Sequence, residues 1–248
     1  MQTIYILWLR QLKRYSRSRA RIIGSLAQPL LFLVALGFGF GPIYQKAGGG
    51  NYIQFLAPGI IGMSVLFTAV FTGIEIIWDR QFGFLKETMV APVTRLKIMF
   101  GRTLGGATVA TIQGVVVFLL SLIAGFRPVS WLGLFPAMLV MFLTALLFTA
   151  LGTAIASTLD DMQGFQLIMN FVIMPVFFLS GALFPLDGLP PVIMLVARFD
   201  PLSYGIDGLR WALIGLTHFG FGQDLAILTA VTAVLLAVGS YLFSKIEI

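Results

Sequence analysis

Apolar positions run along this chain in long uninterrupted stretches, without the alternation of a half-buried strand. Between charged residues the runs are Ile22–Gln45, Ala47–Ile74, Thr103–Phe126, Pro128–Leu159, Met162–Leu186 and Leu225–Ser244. A helix needs about 20 apolar residues to cross a bilayer, so each run holds one crossing. Two shorter runs, Gly188–Ala197 and Trp211–Gln223, do not reach that length, and the second is broken by Gly215, Gly220 and Gly222. The pattern predicts an all-α polytopic membrane protein with six spans, a single transmembrane domain over residues 1–248.

The stretches between spans have patterns of their own. In residues 1–21, Ile4, Leu7, Trp8 and Leu12 recur at helical spacing, with Arg10, Lys13, Arg14 and Arg17 largely elsewhere. That predicts an amphipathic helix at the membrane interface. Its basic lead continues into a full-length span, so it reads as a retained anchor. Over residues 76–94, Trp78, Phe82, Leu85 and Met89 fall within about 60° of one another at about 100° per residue. The opposite face holds Arg80, Gly83, Phe84 and Glu87, with Lys86 beside them; Pro92 ends the helix and Thr94 caps the next. An apolar stripe packing on the spans would leave an aromatic between ions on the free face. That face suits a docked partner, or a plain amphipathic connector. Residues 186–223 are too apolar for a free loop and too broken to cross. Two short helices fit, near Pro191–Phe199 and Ser203–Leu216, with Ser203 as N-cap of the second. Apolar half-helices of this kind dip back into the membrane only against protein.

Charge orients the chain. Six spans put both termini on one side. Arg10, Lys13, Arg14, Arg17, Arg19, Arg21, Arg80, Lys86, Arg95, Lys97, Arg102 and Lys245 lie on that side, against Lys46, Arg127, Arg198 and Arg210 on the other. Basic residues stay on the cytoplasmic side, so both termini are expected in the cytoplasm, at the plasma (inner) membrane. The net charge of +6 is then explained by topology and anionic headgroups, with no nucleic acid as partner. A charged fraction of 10% excludes an ordinary soluble surface, where about 25% is usual. No cysteine is present, so there is no disulfide or thiolate chemistry.

Candidate chemistry is sparse. No phosphate-binding loop of the G-x-x-x-x-G-K-[ST] type occurs, so the chain itself is not expected to bind ATP, hold a cofactor or act as an enzyme. His218 is the only histidine and lies between spans five and six, where a structural role is expected. The charge-free runs hold no ionisable group, which disfavours an ion-gradient-driven secondary transporter, the alternative function. Gln113 is expected to make an interhelical hydrogen bond. Gln163, Gln166 and Asn170 share one face of span five, as a groove lining or as interhelical contacts. Phe67, Phe71 and Phe178, with Gln166 and Asn170, are candidate lining residues of a substrate pathway. Gly101 and Gly105 at GxxxG spacing offer a close helix contact.

The runs "FGFLKETMVAPVTRLKIMFGRTLGGATVATIQG" and "PVFFLSGALFPLDGLPPVIMLVARFDPLSYGIDGLR" resemble the two signatures of the ABC-2 type transporter permeases, in the expected order. Within that family the chain is most similar to the daunorubicin-exporter branch, associated with multidrug resistance. The resemblance implies a homodimer, or a pair of similar permease subunits, working with two copies of a cytoplasmic ABC ATPase that holds ATP and Mg. It implies that the segment around Phe82–Val90, with Arg80, Gly83, Phe84, Lys86, Glu87 and Pro92, is the coupling helix seated in the ATPase. It makes the two half-helices an outer re-entrant element. The cargo would be a hydrophobic or amphipathic drug, lipid or glycan moved out of the cytoplasm or inner leaflet. A polysaccharide or lipid-linked glycan exporter of the same family fits the same residues.

Overall fold

A computed structural model describes residues 2–48, 50–84 and 93–245, and its described residues form helices and turns only. Helix α1 is Gln2–Arg17, and Ser18 alone separates it from α2, Arg19–Lys46. Helix α3 is Tyr52–Phe71, followed across Thr72 and Gly73 by α4, Ile74–Gln81. Then come α5 (Arg95–Ile123), a 3-10 turn at Trp131–Gly133, α6 (Leu134–Ser157) and α7 (Met162–Leu179). The chain closes with α8 (Pro191–Phe199), α9 (Pro201–Ile214) and α10 (Phe221–Ser244). Six helical segments among the described residues are long and apolar enough to cross a membrane: α2, α3 with α4, α5, the 3-10 turn with α6, α7 and α10.

Their threading alternates. Arg10 meets Asp79, Arg80 meets Asp160, and Arg95 donates to the Ser244 carbonyl, so the basic segments gather at one end of the bundle. Tyr52 donates to the Leu183 carbonyl and the Val129 N–H to the Leu213 carbonyl, so the remaining turns gather at the other.

The central helix is α3, buried on nearly all sides from Leu56 to Val70. In lipid, small residues set how closely helices approach. A Cβ on Gly59 would meet the Ala182 carbonyl oxygen at 2.1 Å, so the turn after α7 lies directly on α3. The GxxxG pair of α5 receives α1: Cβ atoms at Gly101 and Gly105 would meet Leu7 Cβ at 2.9 Å and Gln11 Cβ at 2.7 Å. Trp8 Nε1 adds a 3.0 Å hydrogen bond to Thr108 Oγ1. The N-terminal helix is therefore docked on protein as well as amphipathic, with Leu7 and Tyr15 as its buried residues.

Four elements differ from expectation. Span five stops at Leu179, because the chain turns through Ser180 and Gly181, the latter at φ 75°. The second short helix begins at Pro201. Its N-cap is Asp200, whose carboxylate accepts the Leu202 N–H at 2.9 Å, because Pro201 at the first position fixes the start. Ser203 is instead a buried residue of α9. Thr94 caps α5 by position, without a side-chain hydrogen bond. Finally, the helix through Trp78 does not run on to Met89 in one register. It ends at Gln81, and Gly83 takes φ 77°, a left-handed value that favours glycine. The break turns Phe82 outward, 78% exposed, where an inward-packed side chain was expected. Lys86, Glu87, Pro92 and the Leu85 and Met89 part of the stripe lie outside the described residues.

Candidate functional site

The site is built on α4. Glu75 and Asp79 lie one turn apart on it, and both are buried. Isolated carboxylates are costly to bury, and these are ringed by guanidiniums from three other elements. Arg10 Nη2 lies 3.1 and 3.2 Å from the two Asp79 oxygens, and Arg102, from α5, donates to Oδ2 of the same carboxylate. Arg21, at the start of α2, reaches Glu75 Oε1 at 2.6 Å. Arg14 sits between the acids, 3.6 Å from Glu75 and 3.8 Å from Asp79. Four cations thus share two carboxylates. The cluster ties α1, α2, α4 and α5 into one unit by ion pairs.

The same arginines hold the residues that follow. Arg10 stacks over the Phe84 ring at 4.6 Å and Arg14 over Trp78 at 5.4 Å. Such contacts are worth about 0.5–1 kcal/mol at exposed sites. On its other side α4 is tied to the α6–α7 turn, where Arg80 pairs with Asp160 and Gln81 Nε2 donates to the Asp160 carbonyl at 3.0 Å. Beyond this braced helix Phe82 and Phe84 remain exposed, Phe84 by 49%. A groove of about 880 Å³ beside them carries Lys13 and Arg17 on its α1 wall.

The candidate pathway residues fall into two groups. Phe67 and Phe71 stack on each other, with ring centres 6.4 Å apart. Phe177 meets Phe67 edge-on at 6.2 Å, Phe165 meets Phe71 at 6.5 Å, and Phe178 meets Phe177 at 5.3 Å. Helix α7 therefore presents Phe165, Met169, Ile173 and Phe177 inward. Gln166, Asn170 and Phe178 lie one position further on, along an exposed stripe with Gln163. The structure brings Phe67 and Phe71 together and keeps Gln166 and Asn170 apart from them. Phe165 and Phe177, the rings that join the groups, were not singled out from sequence, although apolar residues every four positions at Phe165, Met169, Ile173 and Phe177 are the signal of a buried stripe. Gln113 is fully buried in α5 and accepts a hydrogen bond from the Tyr15 hydroxyl, as expected of an interhelical contact.

At the opposite end, α9 is buried from Leu202 to Arg210 against α3, α6 and α10. Asp207 accepts the backbone N–H groups of His218 and Phe219 and the Thr217 hydroxyl, at 2.8–3.0 Å. Arg210 donates to the Gly181 and Ala182 carbonyls at 2.7 and 3.3 Å and lies 3.8 Å over Phe55. His218 pairs with Asp187 at 2.9 Å, a structural partnership. Burial pushes the Asp200 carboxyl up to about 7, against the Leu202 hydrogen bond that favours its charge. Asp224, in the first turn of α10, is fully buried, with no hydrogen-bond partner on either oxygen. Ionisable groups therefore enter the ends of the crossing helices, which the charge-free runs alone did not indicate.

A braced helix ends span two directly before the first run that carries the sequence resemblance, Phe82 and Phe84 lie exposed within that run, and the two half-helices, the second of them buried, lie largely within the second run. The family model for the ABC-2 type transporter matches residues 2–214. The chain belongs to the ABC-2 type transporter family. It is similar to Nodulation protein J of Rhizobium leguminosarum bv. trifolii, 36% identical over 198 residues, which cover 79% of this chain and 75% of that protein. Nodulation protein J of Rhizobium meliloti (strain 1021) is 31% identical over 205 residues, 81% and 78% of the two chains. The putative transport permease ycf38 of Porphyra purpurea is 31% identical over 212 residues, 84% and 72%. As an ABC-2 family member with six apolar crossings, this chain is a multi-pass membrane transport permease subunit, and permeases of this family normally work with an ABC ATPase.

Proposed function

We propose that this ABC-2 permease is the membrane half of an ATP-driven exporter for a hydrophobic or amphipathic substrate. It acts as one of two permease copies, with two cytoplasmic ATPase subunits, in the plasma (inner) membrane with both termini cytoplasmic. The observation that carries the reading is the bracing of α4. A lever must be stiff to pass force from an ATPase to spans, and Glu75 and Asp79 join α4 to α1, α2 and α5 through buried charge. The aromatics that follow, Phe82 and Phe84, are exposed beside the groove that α1 and α4 form, which supports docking of a partner there. The polar stripe Gln163, Gln166 and Asn170, exposed on a crossing helix, supports a second copy or a watered pathway beside α7, since lipid offers amides no hydrogen bonds.

A second reading, an ion-gradient-driven carrier, is favoured by Asp224, a buried carboxyl without a partner. Proteoliposomes carrying the permease and its ATPase separate the two. Export that requires ATP and persists when an ionophore collapses the gradients supports the exporter. Export that stops with the gradient while ATP is held constant overturns it.

A further inference from the structure

Between α1, α2, α3 and α5 lies a cleft of about 390 Å³, within the range of about 300–1,000 Å³ usual for small-molecule sites. Pro29, Met63, Phe67 and Phe71 make an apolar wall. Ser64 and Thr68, one turn apart on α3, border the same space, and Gln28 faces it from α2. Hydroxyls in these helices usually return to the carbonyl one turn back: Thr103, Thr108, Thr111 and Ser121 all do so, at 2.8–2.9 Å. Ser64 does not. Its Oγ is buried, without any hydrogen-bond partner. A buried hydroxyl left unpaired is unfavourable, and one that borders a cavity has room for a partner from outside the chain.

Charge decides what that partner is. Among the described residues of the lining Arg21 is the only ionised group, and it is committed to Glu75 at 2.6 Å. The Tyr15 hydroxyl is likewise committed, to Gln113. An anion would have to draw Arg21 from a buried carboxylate, and a cation finds no carboxylate among the described lining residues. The uncommitted groups are neutral hydroxyls and an amide, which donate and accept equally. Gly24 and Gln28 line the cleft and are exposed, so it opens to the outside of the chain along α2. We propose that this cleft binds an uncharged amphiphile, whose hydroxyl- or amide-bearing head reaches Ser64 and Thr68 while its apolar part lies on Met63, Phe67 and Phe71.

The test uses the permease in nanodiscs, without ATPase or transport, so it fails or succeeds independently of the exporter reading. The probe is a monoacylglycerol with a photoactivatable diazirine on its chain, and crosslinks are placed by peptide mass spectrometry. Labelling is expected on residues 24–29 and 63–71. Unlabelled monoacylglycerol should compete at least tenfold better than a fatty acid or an alkylamine of the same chain length. Ser64→Ala removes only an unpaired hydroxyl, so the fold is kept, and competition should weaken about threefold to tenfold, one neutral hydrogen bond. Gly24→Leu fills the cleft from a position where a Cβ meets nothing within 4 Å, and should abolish labelling with unchanged insertion. A resident bilayer lipid would co-purify with the wild type and be missing from Gly24→Leu. A transported cargo would instead be depleted when ATPase and ATP are added. Either result supports the site. Equal competition by all three amphiphiles, or better competition by the fatty acid, overturns the proposal, as does labelling unchanged in Gly24→Leu.

Discussion

Asp79→Ala is the most informative perturbation of the charged cluster. Asp79 is the shared partner of Arg10, Arg14 and Arg102, and Arg102 is almost fully buried, with side-chain exposure of 4%. Removing one member of a buried pair leaves an uncompensated charge and costs about 3–5 kcal/mol. Glu75 remains one turn away and holds Arg14 and Arg21, which argues for the lower half of that range. At about 2–4 °C per kcal/mol for a chain of this size, thermal unfolding should fall by about 6–15 °C. The control is Asp160→Ala. That residue pairs with Arg80 at the same end of the bundle, but its side chain is 79% exposed, and exposed pairs contribute about 0–1 kcal/mol. Melting of both variants in detergent is followed by size-exclusion chromatography after heating. Asp79→Ala/Arg102→Leu should recover much of the loss, because no buried charge is then left alone. If Asp79→Ala melts with Asp160→Ala, within about 2 °C of wild type, the cluster is solvated and the bracing argument fails.

Three further outcomes follow from other parts of the structure. Phe84→Ala should weaken ATPase retention about 30-fold in a pull-down at equal permease, the effect of losing a hot-spot aromatic of about 2 kcal/mol; full retention would leave the exposed segment a simple connector. Gly105→Leu places a side chain where Gln11 Cβ already lies 2.7 Å from the Cβ position, so α1 should undock and a protease site placed after Arg17 should be cut faster than in wild type. Asp200→Asn tests the raised carboxyl near 7. Folded Asp200 holds its proton more tightly than the unfolded chain, so stability is full below about pH 4 and is lost as pH rises toward 7. The amide keeps an oxygen for the Leu202 N–H, and the variant should out-melt wild type at pH 8 but not at pH 4.5.

The crossings were legible because lipid demands long apolar helices, and charge-free runs measure that demand directly. The half-helices were legible for a related reason, since Pro191 and Asp200-Pro201 punctuate an apolar stretch too short to cross. Helix ends were less so: Leu179 and Gln81 are followed by turns at Gly181 and Gly83, and a hydropathy run does not register a backbone angle. The cluster on α4 was the largest omission. A count of basic residues by side treats Arg10, Arg14, Arg21 and Arg102 as independent charges, whereas their pairing with Glu75 and Asp79 depends on contacts up to 69 residues apart in sequence. The available sign was two acids at i, i+4 beside an otherwise basic end. The aromatic stack was half legible: Phe67 and Phe71 share a helix face, but the rings that meet them come from α7.

The docking of α1 onto Gly101 and Gly105 also orders the birth of the protein. The first helix leaves the ribosome before the surface that receives it exists. At about 5–20 residues per second, residues 101–108 follow some 5–20 seconds later. Until residues 75–79 are made, within that interval, Arg10, Arg14 and Arg21 have neither Glu75 nor Asp79 to meet, and anionic headgroups are the counter-charges within reach. The carboxylates at the end of span two then become available as partners, and translation of the third crossing supplies the glycine face on which the N-terminal helix docks. The amphipathic start of the chain is in this sense a temporary tenant of the membrane surface, and the nascent polypeptide completes its first domain-wide contact only when half of its crossings have been made.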